Sequence, residues 1–83
     1  MFYYLLTARS LTYAQKSMRI LTRYGVTAVL VRTPREISDR GCGYSVKVSE
    51  KYLYRSVEKL RENKIPPIGV FKIINNGYER VAL

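Results

Sequence analysis

Histidine and tryptophan are absent from the 83 residues, cysteine occurs once, and six acidic residues face fifteen lysines and arginines. Without histidine, the Ser/His/Asp and Cys/His nucleophile systems are excluded and the commonest metal ligand is missing. A single thiol excludes an internal disulfide and any cysteine cluster of zinc-ligand spacing, so no metal and no cofactor is expected. The reducing cytoplasm is then the expected compartment. No hydrophobic run approaches the roughly 20 residues that cross a bilayer, and no basic start leads into an apolar stretch with a cleavage site, so neither a membrane span nor a signal peptide is expected. The shortage of acids leaves a net charge of +9 and a pI near 10.0, an electrostatic preference for anionic partners without a choice among nucleic acid, phosphorylated cofactors, anionic membranes and acidic proteins.

What is present is apolar and ordered in pattern. Hydrophobic residues make up 47% of the chain, with eight tyrosines and two phenylalanines, which argues for a folded domain rather than a disordered tail. Residues 1–83 fit a single domain. Phe2 to Thr7 reads as a buried strand. Ser10 is a candidate N-cap for a helix in which Leu11, Ala14, Met18 and Leu21 recur at helical spacing, and Gly25 supplies a left-handed stop. Val26 to Thr33 reads as a second strand closed by Pro34. A loop runs from Pro34 to Gly43. Tyr44, Val46 and Val48 alternate with Ser45 and Lys47 as a half-buried strand does. Ser49 is expected to cap a second helix whose Leu53, Val57 and Leu60 share one face and which ends before Pro66-Pro67. Ile68 to Ile74 reads as a strand, and Asn76-Gly77 predicts a type I′ hairpin into a short last strand, Tyr78 to Leu83.

This order, β-α-β-β-α-β with a short extra C-terminal strand, predicts an α+β fold: a two-layer ferredoxin-like plait with antiparallel sheet order 4-1-3-2. The first and second strands then run the same way. The loop after the second strand falls at the end of the sheet where the first helix begins, which brings Cys42 toward the Arg9-Ser10 turn.

Cys42 lies in Arg40-Gly41-Cys42-Gly43. Only a thiolate is a nucleophile, and an ordinary pKa of about 8.5 leaves a few per cent ionised at neutral pH. Arg35 and Arg40 in the same loop, Arg9, and the free N–H groups at the start of the first helix would each favour an anion there. Gly41 and Gly43 would permit positive φ and keep the sulfur accessible. Glu36 and Asp39 act in the opposite sense. The residues alone equally allow Cys42 to be a small apolar residue opening a strand.

Thr33-Pro34-Arg35-Glu36-Ile37-Ser38, then Gly41-Cys42-Gly43 and a strand containing Ser45-Val46-Lys47-Val48, resembles the loop of the selenium/sulfur carrier protein-like family, short bacterial domains of little-characterised function. The similarity extends to the opening Tyr3-Tyr4-Leu5-Leu6 and to a first helix ending in Arg23-Tyr24-Gly25. What the resemblance implies is a carrier thiol at Cys42, a following glycine at Gly43, and a shaping turn at Pro34, Arg35, Ile37 and Ser38. It also implies donor and acceptor proteins of sulfur or selenium transfer in place of independent catalysis. Between Ser38 and Cys42 this chain has Asp39-Arg40-Gly41, one residue more than the family's Ser-x-x-Cys-Gly spacing.

Two other readings compete. Arg40, Gly41, Gly43 and Tyr44 fit the RNP1 pattern of RNA-recognition motifs, which also share the strand and helix order. Cys42, however, stands where an aromatic ring would stack on a base. The third reading is a small adaptor that forms a homodimer through an edge strand and carries no chemistry.

Overall fold

The computed structural model describes residues 2–38 and 43–83; the expectations placed on Asp39, Arg40, Gly41 and Cys42 lie outside the described residues. The elements are β1 (Tyr3–Ala8), α1 (Leu11–Arg23), β2 (Ala28–Arg32), a 3-10 turn (Arg35–Ile37), β3 (Tyr44–Ser49), a second 3-10 turn (Glu50–Tyr52), α2 (Leu53–Glu62), β4 (Gly69–Ile74) and β5 (Gly77–Val81). All five strands join one sheet, each antiparallel to its neighbours, and both helices pack on one of its faces.

The sheet order is β2-β3-β1-β4-β5, not the four-stranded 4-1-3-2 order expected. The reason is the last strand, which is no short appendage. It pairs with β4 from Ile74 opposite Gly77 to Val70 opposite Val81, so β4 becomes an interior strand and β5 an edge. The hairpin that joins them also departs from expectation. Asn75 and Asn76 form its two-residue turn, and neither has positive φ, so the type I′ geometry is not made. Gly77, at φ +149, absorbs the unusual backbone one residue later.

Strand alternation decides which side chains meet the helices. Tyr4, Leu6, Val46, Val48 and Val70 share one face and form the core with Leu21 of α1 and Leu53, Val57 and Leu60 of α2. Fully burying each large aliphatic side chain contributes about 1.5–3 kcal/mol. The α1 stripe enters this core through Ala14, Leu21 and, in part, Met18; Leu11 remains exposed because it lies in the first turn, beyond the core.

The helix boundaries follow local chemistry. Ser10 is extended and its Oγ accepts the Tyr13 N–H at 3.3 Å, the N-cap bond expected. Ser49 caps nothing: a 3-10 turn intervenes, and α2 starts at Leu53 without a side-chain cap. Both helices end in the same double-bonded C-terminal motif. Gly25 donates to Thr22 O and Val26 to Leu21 O after α1, and Lys64 donates to Arg61 O and Ile65 to Leu60 O after α2. The left-handed residue is Gly25 at φ +77 in the first case and Lys64 at φ +64 in the second. A β-carbon in that conformation costs roughly 1–2 kcal/mol.

Candidate functional site: the end of the sheet beneath the 34–43 loop

The register builds this site. Ala8, the last residue of β1, stands opposite Tyr44, the first of β3, and Arg32, the last of β2, stands opposite the same Tyr44. Gly43 continues the ladder, its carbonyl accepting the Thr33 N–H at 2.9 Å. The loop therefore leaves and re-enters the sheet at one end, and at that end β1 turns through Arg9-Ser10 into α1. Of the residues expected to act together, Arg9, Gly43 and the start of α1 are brought to one place; Arg9 and Arg35 are both exposed to solvent.

The route of the loop is the structure's main departure from a simple two-layer reading. Arg35–Ile37 packs against β5, at the opposite edge of the sheet from β2. Four strand spacings of about 4.8 Å separate those edges. The path lies over the sheet face without helices, and solvent exposure records the cover. Leu5, Ser45 and Phe71 alternate away from the helices, yet they are only 2%, 0% and 9% exposed. Ile37 and Ser38 are half-buried in the covering segment, and the Ser38 N–H donates to Arg35 O.

Beneath the loop the polar groups are satisfied. The hydroxyls of Thr33 and Ser45 lie 2.6 Å apart in a hydrogen bond, and Thr7 Oγ1 donates to Gly69 O at 3.3 Å. Gly43 makes no use of the positive φ that glycine permits. A β-carbon there would meet only Thr33, at 3.6 Å, an ordinary contact.

Arg80 is a residue that sequence reasoning missed. Its guanidinium lies 5.5 Å from the centre of the Phe71 ring, and its Nη1 lies 3.5 Å from where a Gly69 β-carbon would sit. Gly69 pairs with Thr7 near the end of β1, so Arg80 reaches from β5 toward the end of the sheet that carries the loop. The usable signal was its alternation with Tyr78, which sets its face only once Phe71 and Arg80 are known to pair. Among the described residues, no group of acidic residues or thiols could hold a metal ion. Nor is any described helix long and apolar enough to cross a membrane.

The same geometry bears on the RNA reading. Tyr44 shares the face of Val46 and Val48, which the helices cover, and on the opposite face the Arg35–Ile37 turn packs against β5. The aromatic position that fitted the RNP1 pattern is thus on the wrong side of the sheet for base stacking. Several cations are also stacked on the chain's own rings, with Lys47 Nζ 4.8 Å from the Tyr3 centroid, Lys59 Nζ 4.7 Å from Tyr24 and Lys72 Nζ 3.9 Å from Phe2.

An α+β domain with two helices on a five-stranded antiparallel sheet is the class these features define. The chain belongs to the family described as "Putative Se/S carrier protein-like", which it matches over residues 3–72. That span runs from the first residue of β1 into β4 and contains the whole loop. No curated protein and no solved structure matches the chain at a significant level.

Proposed function

We propose that the chain accepts a sulfur or selenium atom on Cys42 and hands it to a partner protein. The observation that carries the reading is the β1–β3 register, which sets Gly43, the chain neighbour of Cys42, at the end of the sheet where Arg9 and the N-terminus of α1 lie. The family description points the same way. In the proposed step the Cys42 thiolate attacks the outer sulfur of a donor persulfide; the S–S bond of the donor breaks, the donor departs as a thiolate, and Cys42 holds the persulfide. An acceptor nucleophile then takes the outer atom and Cys42 leaves as a thiolate. No net redox change falls on the carrier.

Arg9, Arg35, Arg40 and Arg80 would stabilise the anionic forms, as would the unpaired N–H groups that open α1, while Gly41 keeps the sulfur unobstructed. With no histidine to move protons, donor and acceptor must supply the remaining chemistry. The cytoplasm, where thiols are kept reduced, suits a carrier with one cysteine.

Intact mass after incubation with a cysteine desulfurase and cysteine tests the reading. The expected result is the gain of one sulfur atom, reversed by reductant and absent from Cys42→Ser. Native protein that stays unloaded while its thiol alkylates slowly would instead make Cys42 a structural residue.

A further inference from the structure

A cavity opens at the same end of the sheet but on the helix side, between the start of α1 and the segment that joins α2 to β4. It holds about 380 Å³, within the range of small-molecule sites. Leu60, Ile65 and Ile68 supply an apolar wall, and Arg9, Tyr13 and Lys64 supply polar and cationic groups, so its lining is mixed. No carboxylate lines it. The hydroxyl of Ser17 is already spent, its Oγ donating to Tyr13 O at 2.9 Å. Polar recognition is left to the cationic rim, where the Arg9 guanidinium lies 5.4 Å from the centre of the Tyr13 ring.

Lys64 supplies an independent reason to read this as a site. It occupies the left-handed position that closes α2, where α1 uses Gly25 for the same hydrogen-bond pattern. Glycine would serve the backbone without strain, and the lysine adds only a side chain that lines the cavity. Strained backbone of this kind collects at ligand sites.

We infer that this cavity binds a small organic anion, its apolar body against the Ile65 and Ile68 wall and its charged group between Arg9 and Lys64. Binding draws on both parts of the ligand, the body against the Ile65 and Ile68 wall and the charge against Arg9 and Lys64. The proposal does not depend on Cys42 chemistry.

The test is a titration followed by backbone amide NMR shifts, with phenylacetate as the probe, phenylacetamide as its neutral counterpart and acetate as the charged group without the body. Saturable shifts at Ala8, Arg9, Tyr13, Ile65 and Ile68 are expected with phenylacetate in the millimolar range or below. Each control should bind at least about tenfold more weakly. Lys64→Gly, which relieves strain and leaves the fold intact, should weaken phenylacetate roughly three- to tenfold, and Cys42→Ser should leave it unchanged. Three results would overturn the inference: no saturation, shifts spread over the whole basic surface, or undiminished binding in Lys64→Gly.

Discussion

The two faces of the sheet are buried by different means. On one, Tyr4, Leu6, Val46, Val48 and Val70 meet two amphipathic helices, and every contributor is recognisable from its own segment. On the other, Leu5, Ser45 and Phe71 are buried without a helix, under a loop that starts at one edge of the sheet and reaches the opposite edge. The first cover is a structural layer. The second is supplied by Arg35–Ile37 and Ser38, part of the segment that carries the Pro-Arg-Glu-Ile-Ser turn.

That contrast can be broken from the helix side first. Leu6 is almost fully buried at the centre of the core, and Leu6→Ala should cost about 2–5 kcal/mol, a large share of the roughly 5–15 kcal/mol that holds a domain of this size. Chemical denaturation with an unchanged m-value measures it; a loss below about 1 kcal/mol would mean that the core collapses around the gap. From the loop side the effect should be smaller and local. Ile37→Ala removes part of a half-buried contact and should cost about 1 kcal/mol. Amide hydrogen exchange should then speed up in β4 and β5 while the β1–β3 ladder stays protected; uniform loss across the sheet would show that the loop is part of the global core. The smallest expected effect has the opposite sign. Lys64→Gly should stabilise by about 0.5–1 kcal/mol, since the αL penalty relieved exceeds the added unfolded-state entropy. A destabilised variant would show that the Lys64 side chain contributes more than its backbone costs.

The candidate site was legible in unequal parts. Arg9, Gly43 and the start of α1 could be placed together from strand order alone, because parallel β1 and β2 put the relevant loops at one end. Arg80 could not, since its approach to Phe71 and Gly69 depends on a pairing register that no local pattern encodes. The hydrogen bond from the Thr33 N–H to the Gly43 carbonyl is likewise a product of strand pairing, which a glycine beside a loop does not announce.

By itself the sequence determined the elements and their inward faces. The Ser10 cap, the Gly25 stop, the alternation through Val46 and Val48 and the Leu53, Val57 and Leu60 stripe act within one or two turns of chain, where backbone geometry and side-chain period leave little choice. Only the tertiary structure decided that β5 is a full fifth strand, that Arg35–Ile37 crosses to meet it, that Arg80 reaches Phe71 and Gly69, and that Lys64 lines the cavity beside α1. Those features rest on contacts between residues far apart in the chain, whose loop-closure entropy is repaid only when the whole sheet is assembled.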